Sequence, residues 1–459
     1  MNTDQPNVVI IVVDTLRKGI IDFEHLRTNN SALFNEFIVY NNCVAAAPWT
    51  IPSHVSIFTG RYPSEHEIHE DKGKKMSAFS NNLELSELKF GTTFQFLKKK
   101  GYMNYGISSN ISLRPGTAFE RGFDVFQFLD FPLGQSEYFN LLKKTYEELN
   151  LPGIGGGWQV QKEVAVRMIK KGQIRELFDL YMSRRNSYKF RVDQGYPFEK
   201  GSSHIMQTLR NSSFLKPFSL FLNIMEMHEE YPTSFSFYDC YKELISHKRM
   251  NIRKVQEIRK EYTAQGERVK SFLNEFLINL KRMGEWDNTL IIITSDHGQA
   301  LWEHGFAGHG TFLYDEIVRV PLLIKYPNSR KGGVSDMLCS IVDIPGIVDS
   351  FSSGANSELN PSDVVFSESF GMIHEYSSIV NLVPRDQKEK LEAALKALDF
   401  RRVSAFKGNL KITLNAENGE IIEYLENLKP SEIDKKRIKE IGILDDLEIF
   451  DSRIVLPFR

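Results

Sequence analysis

The sequence predicts an α/β protein with a doubly wound, mostly parallel sheet that has helices on both faces. Five short apolar runs have the length and continuous hydrophobicity of strands buried on both sides of such a sheet. They lie at residues 7–13, 104–109, 218–225, 288–295 and 320–327. Helical patterns separate these runs, the clearest at residues 269–284. Strands that alternate with helices are typical of this fold class.

A change of composition after residue 350 predicts two units, a large domain over residues 1–350 and a small α+β C-terminal subdomain over residues 351–459. Residues 401–425 alternate between apolar and polar side chains and contain turn signals, which predicts an antiparallel sheet. Two segments rich in Lys, Arg, Tyr and Phe, at about 130–215 and 235–260, interrupt the first domain. They are either the walls of a binding pocket or surface elaboration.

The bulk composition excludes several classes of partner. The chain has 459 residues with a formal net charge of −2, so we expect no nucleic-acid partner. Its three cysteines lie far apart, which fits a reducing compartment rather than a disulfide framework. The apolar run Val8–Val13 lacks a basic leader, and no stretch approaches the roughly 20 apolar residues of a membrane span. We therefore expect a cytoplasmic protein.

Polar side chains cluster where the predicted strands end. Asp14 ends the first strand, His228 follows the third, and Asp296 and His297 end the fourth. Ligands bind at this edge of an open α/β sheet. Taken alone, an Asp after a strand often caps a helix, and a single His more often has a structural role in which it is hydrogen-bonded. Together with the hydroxyl of Thr50, two carboxylates and an imidazole form a set of ligands for a divalent metal.

The stretch "APWTIPSHVSIFTGRYP", residues 47–63, allows two interpretations. In the first, Pro48 and Pro52 mark a loop and Ser53 caps the following helix. In the second, Thr50 places a side-chain oxygen at the start of a helix, where backbone N–H groups attract an anion.

The motifs together resemble the sulfatase family of the alkaline phosphatase superfamily. The resemblance rests on "VVDTLR", "FTGRYP", "RGFDVF", "TSDHG" and "GHGTFLYDEIVRVPLLIKYP", which occur in this order between about residues 7 and 345. It implies an alkaline-phosphatase-like fold, a catalytic role for residues 1–350, and an arylsulfatase-like hydrolase activity.

The resemblance implies that Thr50 is the nucleophile, because the family places that residue ten positions before the Gly of the T-G-R turn, here Gly60. The usual Cys (or Ser)-x-Pro-x-Arg pattern becomes Thr50, Pro52 and His54 in this chain. Thr cannot be converted to formylglycine, so its alkoxide would attack directly and form a covalent ester. This favours phosphorus esters, as in the phosphodiesterase branches of the superfamily. Cys43 is not a substitute, because the Pro and Arg do not follow it.

The metal site implied by the resemblance consists of Asp14, Thr50, Asp296 and His297. Calcium-dependent sulfatases have Asp-Asp and Asp-Asn pairs, whereas this chain replaces one carboxylate and adds an imidazole. The softer ligand set favours manganese or zinc over calcium. Metal coordination would lower the pKa of the Thr50 hydroxyl.

We expect one divalent metal ion, because two-zinc relatives need an Asp four residues before His228 and Ile224 stands there. His228 and His309 match family positions near the leaving oxygen and the substrate anion, and both are candidate general acids. His54 replaces the Arg that positions the nucleophile.

Two further side chains, Asn110 and His304, either line the pocket or have a structural role.

Three functions stay open. The first is a metal-dependent hydrolase that cleaves a sulfate or phosphate ester of a small molecule or glycan through Thr50, with phosphoesters favoured. The second is a transferase that moves a phosphoryl or phosphoalcohol group to a sugar or lipid. The third is a catalytically inactive protein that binds anionic glycans.

Overall fold

The strands fall into a large central sheet, a smaller C-terminal sheet and a short hairpin. The computed structural model describes residues 5–29, 33–70, 88–129, 141, 144, 145, 148, 149, 158–193, 195–246, 248–329, 332–374, 376–408 and 410–425. Its strands are β1 (Asn7–Val13), β2 (Ile38–Val44), β3 (Met103–Ser108), β4 (Val125–Phe128), β5 (Phe218–Ile224), β6 (Thr289–Thr294), β7 (Ala300–Leu301), β8 (Ala307–Gly308), β9 (Arg319–Lys325), β10 (Gly333–Ser340), β11 (Val365–Ser369), β12 (Arg402–Lys407), β13 (Leu410–Asn415) and β14 (Ile421–Leu425).

The helices range from single turns to one of 31 residues. They are α1 (Phe23–Asn29), α2 (Thr50–Thr59), α3 (Pro63–His66), α4 (Thr93–Lys99), α5 (Trp158–Lys170), α6 (Ile174–Asp193), α7 (Ser202–Arg210), α8 (Phe237–Ser246), α9 (Ile252–Arg282), α10 (Asp315–Val318), α11 (Ile344–Ser352), α12 (Tyr376–Val380) and α13 (Lys388–Leu398).

Within the described residues the central sheet has eight strands in the order β10-β2-β9-β6-β1-β5-β3-β4. The pairs β1–β5, β1–β6, β3–β5, β3–β4 and β2–β10 are parallel, which confirms a mostly parallel sheet. The prediction of a parallel strand at residues 320–327 is wrong, because β9 runs antiparallel to β2 and β6. Between β6 and β9 the chain forms the short hairpin of β7 and β8 and a four-residue helix, rather than a long crossover helix packed on the sheet.

The two faces of β1 show how the sheet forms the core. All seven residues of β1 are buried, and successive side chains point to opposite faces. Val9 and Ile11 join the apolar cluster that includes Leu273 of α9, whereas Val8 joins the cluster that includes Val55 of α2. Helices therefore cover both faces, as the sequence predicts.

The C-terminal part contains a four-stranded antiparallel sheet in the order β11-β12-β13-β14. It is joined to the rest of the protein through buried Glu368, whose carboxylate accepts hydrogen bonds from Ser64 at 2.6 Å and from Arg401 at 2.8 Å. The antiparallel strands predicted within 401–425 are confirmed. Residues 426–459 of the predicted subdomain lie outside the described residues, and the boundary at residue 350 stays a prediction.

The first predicted insertion contributes α5, α6 and α7, and the second contributes α8 and the start of α9. Most of the segment 130–157 lies outside the described residues. Among the helices that are described, none has the combined length and hydrophobicity needed to cross a bilayer.

The buried His66 predicts a measurable pH dependence of stability. Its Nε2 lies 3.2 Å from the Pro52 carbonyl oxygen, and its Nδ1 accepts a hydrogen bond from the Ile68 N–H at 3.1 Å. Burial lowers the pKa of His66 to about 3. The unfolded chain therefore holds one more proton between its ordinary pKa of about 6.5 and about 3, so stability falls as the pH falls through this range.

We expect His66→Gln to reduce the pH dependence of the free energy of unfolding by about 1.4 kcal/mol per pH unit in this range. Urea unfolding between pH 6 and pH 4, inside this range, measures it. His25→Gln, at an exposed position, is the matched control and should keep the wild-type slope. An unchanged slope in His66→Gln would show that His66 is not held neutral.

Candidate active site

Two buried carboxylates form the base of the candidate site. Asp14 and Asp296 follow the neighbouring parallel strands β1 and β6, so the sheet brings them to one edge, and both are 0% exposed. Asp14 Oδ2 accepts a hydrogen bond from Asn110 Nδ2 at 2.7 Å. Asp296 Oδ1 accepts from the backbone N–H groups of Thr15 at 3.2 Å and His297 at 2.9 Å. The remaining oxygens, Asp14 Oδ1 and Asp296 Oδ2, have no hydrogen-bond partner among the described residues.

Burial shifts the acidity of both groups in the same direction. It raises the pKa of Asp14 to about 6, with a further contribution from the Asp296 carboxylate, and it raises the pKa of Asp296 to about 7. Desolvation makes an unpaired charge unfavourable here. A cation between the two carboxylates would reverse this effect.

His297 and Thr50 lie beside the carboxylates. The three residues Asp14, Asp296 and His297 each offer one ligand atom, and these atoms lie within 4.8 Å of one another. His297 Nε2 is 3.4 Å from Asp296 Oδ2 and 3.5 Å from Thr50 Oγ1. The Nδ1–H of His297 donates to the Gly298 carbonyl at 2.9 Å, which leaves the lone pair on Nε2.

Thr50 is the first residue of α2, and extended Trp49 precedes it as the N-cap. The alternative prediction, that Ser53 caps this helix, is wrong. Ser53 lies inside α2, and its hydroxyl donates to the Ala47 carbonyl at 2.9 Å. Thr50 is 6% exposed. Because it is the first residue of a ten-residue helix, its hydroxyl lies at the end where the backbone N–H groups are free.

His54 lies one turn after Thr50, where it is 0% exposed. Its Nδ1–H donates to the Thr50 carbonyl at 2.9 Å, and its Nε2 faces the Asn223 amide at 3.3 Å. Burial lowers the pKa of His54 to about 3, so the ring is neutral although Nδ1 lies 3.4 Å from Asp296 Oδ2. The structure thus places His54 beneath the first turn of α2 rather than at the surface of the site.

A strained residue fixes the chain next to Asp14. Thr15 has a φ of 57°, which is unfavourable for a β-branched residue. The Tyr262 hydroxyl donates to the Thr15 carbonyl at 2.6 Å and accepts from the Arg17 N–H at 3.1 Å. Helix α9 thereby holds the turn that aims the Thr15 N–H at Asp296.

The residues present fit a divalent cation. Divalent cations use mixed oxygen and nitrogen donors. The site offers two buried oxygens without hydrogen-bond partners among the described residues, one imidazole nitrogen with a free lone pair and an adjacent hydroxyl. The four predicted ligands Asp14, Thr50, Asp296 and His297 are therefore close together. Which metal they bind stays a prediction.

A second cluster lies next to the first. His228, Glu229 and His309 each offer a ligand atom within 4.8 Å of the others, and the His309 ring lies 4.6 Å from the His297 ring between centroids. Gln299 links its members, because its Nε2 donates to Glu229 Oε2 at 2.9 Å and its Oε1 accepts from His309 Nδ1 at 2.8 Å.

The pKa values of the two imidazoles in this cluster are shifted in opposite directions. Burial opposes the charge on His228, but the carboxylates of Glu229 and Asp14 outweigh it and raise the pKa of His228. Burial holds the pKa of His309 well below its ordinary value. Burial raises the pKa of Glu229, but the neighbouring imidazoles outweigh burial and lower this pKa to about 2. In the metal-free protein, His228 is the better proton donor.

Asn110 and His304 have different surroundings. Asn110 is 3% exposed and orients Asp14, as described above. His304 lies apart from both clusters and pairs with Glu316 at 3.1 Å.

Three residues that support the site were missed in the sequence. Glu229 follows His228 directly, and the "MHEE" run could have drawn attention to it. Gln299 gives no such signal, since its role depends on the fold. Lys200 is buried and donates to the carbonyl oxygens of Glu226 and His228, which connects the segment before α7 to the loop that carries His228.

Comparison with known proteins identifies the family. Residues 6–348 match the sequence profile of the Sulfatase family. The chain belongs to the sulfatase family. The family and the fold predicted from the sequence are thereby confirmed.

Two curated relatives illustrate the range of similarity. The chain is 38% identical over 88 residues to an N-acetylglucosamine-6-O-sulfatase of Bacteroides thetaiotaomicron, a match that covers 19% of this chain and 16% of the relative. It is 24% identical over 354 residues to the iduronate 2-sulfatase of Mus musculus, covering 71% of this chain and 60% of the relative. The chain thus spans less than two thirds of the length of either relative.

Similarity of fold extends to a differently named hydrolase. The phosphonate monoester hydrolase of Agrobacterium radiobacter superimposes with a TM-score of 0.58 at 15% identity, covering 98% of this chain and 96% of that protein. At this identity the likeness shows the fold of the sulfatase-family chain and no more.

The hydrogen bond from Asn110 to Asp14 predicts a change in metal affinity. Asn110→Ala removes the donor that orients the Asp14 carboxylate, so we expect the affinity for Mn²⁺ or Zn²⁺ to fall about 10–100-fold. Isothermal titration calorimetry measures this affinity. Asn41→Ala removes an exposed amide and should leave the affinity unchanged. Equal affinities in Asn110→Ala and wild type would contradict the role of Asn110 in orienting Asp14 for a cation.

Proposed function

We propose that this sulfatase-family protein is a metal-dependent hydrolase that cleaves a phosphate, phosphonate or sulfate ester, with Thr50 as its covalent nucleophile. Esters of phosphorus are favoured. The proposed substrate is a small-molecule or glycan ester.

One observation carries the proposal. The Thr50 hydroxyl lies at the N-terminus of α2, 3.5 Å from His297 Nε2. His297 in turn lies with Asp14 and Asp296, each of which has a buried carboxylate oxygen without a hydrogen-bond partner among the described residues. The helix terminus attracts a tetrahedral anion, and the carboxylates require a cation. A bound divalent cation would lower the pKa of the Thr50 hydroxyl and offset the charge of the ester.

The proposed reaction has two displacement steps. Thr50 first loses its proton to solvent, and its Oγ1 forms a bond to phosphorus or sulfur while the bond to the alcohol oxygen breaks. His228 gives its proton to the departing alcohol oxygen. In the second step a water molecule attacks the Thr50 ester, one of its protons passes to His228, and the bond to Oγ1 breaks. Oγ1 then takes up a proton from solvent, which restores both residues.

The chemistry of threonine supports the preference for phosphorus. Oxidation of a threonine side chain would give a ketone, because its β-carbon carries a methyl group, so Thr50 has no route to the aldehyde of formylglycine. Transfer through a simple side-chain ester suits phosphoryl and phosphonyl groups, whose covalent esters hydrolyse in a separate step. The fold likeness to a phosphonate monoester hydrolase is compatible with this choice.

The surroundings of the neighbouring histidines and Glu229 support a role for them at the leaving oxygen. The raised pKa of His228 keeps a proton available on that ring, and Glu229 stabilises the resulting charge. His309, whose Nδ1–H donates to Gln299, is positioned by a polar contact. His54 positions Thr50 through its carbonyl.

Thr50→Ala should lower kcat/KM for nitrophenyl phosphate and bis-nitrophenyl phosphate by at least about 10³-fold, because the nucleophile is lost. Thr59→Ala is the matched control, since it lies at the other end of α2 and its hydroxyl bonds only the Val55 carbonyl among the described residues. Nitrophenyl sulfate is assayed in parallel. Turnover confined to the sulfate would contradict the preference for phosphorus.

Intact-mass spectrometry of the rapidly quenched wild-type protein should show a mass increase of one phosphoryl or phosphonyl group, located at Thr50. Added glycerol separates hydrolase from transferase, because a transferase would form a glycerol ester. Full activity in Thr50→Ala would overturn the proposed nucleophile. Metal binding without any covalent adduct or turnover would favour the alternative of an anionic-glycan binding protein.

Metal removal should abolish turnover. After treatment with EDTA we expect activity to return with Mn²⁺ or Zn²⁺ and to return less with Ca²⁺, because an imidazole replaces one of the hard oxygen ligands. Asp296→Asn should need a higher metal concentration for half-maximal activity. Steady-state assays across metal titrations measure both effects. Full recovery with Ca²⁺ alone would contradict the proposed ligand set.

A further inference from the structure

The first insertion carries a stripe of large apolar side chains that are exposed. On the 20-residue helix α6, Ile174, Phe178 and Tyr181 are 65%, 60% and 61% exposed. They are spaced four and three residues apart, so they lie on one face of the helix. Val192 continues this face toward the end of α6 and is also exposed. Leu180, about 120° from Ile174 around the helix axis, is buried and faces the protein.

The grouping of these side chains is what makes them informative. Single exposed apolar residues are common on protein surfaces and need no explanation. A contiguous row of large ones marks a surface that binds another body. Ile169, in the last turn of α5 and five residues before Ile174, is exposed as well. Beside the two roles that the sequence left open for this insertion, the structure thus indicates a docking surface.

The border of the stripe is basic. Arg175 and Lys189 flank it on one side, Arg185 lies on its line one turn after Tyr181, and all three side chains are exposed. Arginine and lysine keep their methylene stems along apolar surface while their charged ends stay in a polar layer. An apolar stripe with such a border is typical of helices that lie in the plane of a membrane interface.

The positive charge is a local property of this face. Among the acidic residues of α6, Glu176 and Asp179 lie about 140° or more from Ile174 around the helix axis, and Asp193 is the last residue. The formal net charge of the chain is −2, so the basic border is not part of a general positive field. We propose that α6 docks the protein, without spanning it, on the surface of a bilayer that contains anionic lipids.

Charge and apolar surface together select this occupant. A second copy of the chain, bound through the same stripe, would bring Arg185 and Lys189 close to their own counterparts, and like charges repel. A soluble polyanion would use the basic residues but would leave the apolar stripe in water. Anionic headgroups above an apolar layer match both features. Tyr181 adds a phenol ring of the kind that is enriched at membrane interfaces.

Peripheral docking is compatible with the finding that none of the described helices can cross a bilayer. It is also independent of the proposed ester hydrolysis, because the stripe shares no residue with either cluster of the candidate site.

The test is flotation of the full-length protein with lipid vesicles. We expect the protein to rise with vesicles of phosphatidylglycerol and phosphatidylcholine in equal parts, and to rise less as the salt concentration is increased. It should stay behind with vesicles of phosphatidylcholine alone. Failure to bind the mixed vesicles at low salt, or equal binding to both kinds of vesicle, would overturn the proposal.

Hydrogen exchange of the wild-type protein locates the contact without any substitution. The mixed vesicles should slow exchange of the backbone amides within residues 174–192. Protection confined to another part of the chain would assign vesicle binding to a different surface and overturn the role of α6.

The chain offers a matched pair of variants. Helices α6 and α9 both begin with Ile-Arg, and the exposed fractions of Ile174 and Ile252 are 65% and 63%. Ile174→Ser/Arg175→Glu should lower the partition coefficient on mixed vesicles at least about 10-fold, because it removes apolar contact and reverses a charge. Ile252→Ser/Arg253→Glu makes the same changes outside the stripe and should bind like wild type. Equal loss in both variants would contradict the assignment to α6.

A second variant distinguishes the other occupants. Phe178→Ser/Tyr181→Ser keeps every charge and should lower vesicle binding at least about 10-fold. Unchanged binding would show that charge alone attracts the protein, as for a soluble polyanion, and would overturn docking through the stripe. Sedimentation velocity without vesicles should give the same mass for this variant and wild type. A dimer that the variant dissociates would assign the stripe to a second copy instead.

Discussion

The candidate site depends on the burial of two carboxylates at the ends of adjacent parallel strands. Asp14 and Asp296 are brought together by the register of β1 with β6, and each keeps one oxygen without a partner among the described residues. Burial raises both pKa values, because the buried site disfavours the charged form of each carboxyl group. A bound cation would remove this cost, so metal binding and the protonation of the two carboxyl groups would be coupled.

The surrounding elements keep these carboxylates from relaxing. Tyr262 of the long helix α9 holds the strained turn at Thr15, and that turn directs a backbone N–H at Asp296. On the opposite face of the sheet, His54 joins Asn223 to the first turn of α2, which carries Thr50. Thr50 and the two carboxylates are therefore fixed by helices on both faces of one sheet, which is the preorganisation that the proposed displacement reaction would require.

Features set by local pattern could be predicted from the sequence. Buried strands such as residues 7–13 are continuous apolar runs, and the ends of these strands mark the edge where Asp14, Asp296 and His297 meet. The direction of β9 could not be predicted from the sequence. Its antiparallel course depends on the path of the segment that connects it to β6, and not on the residues of β9 themselves. The part played by Gln299 was equally hidden, since it comes from contacts between distant segments.

Glu229 shows that a sequence motif does not identify every side chain that reaches the site. A motif requires a carboxylate at a fixed spacing from a histidine, but a metal requires only ligand atoms that converge. Ile224 fails the spacing requirement because its side chain belongs to the buried strand β5. Glu229 lies beyond the end of that strand, where the chain is free to turn its carboxylate toward His309 and Gln299. The chemistry of the site is therefore decided by the convergence of side chains at the strand ends, and spacing along the sequence is only one way to achieve it.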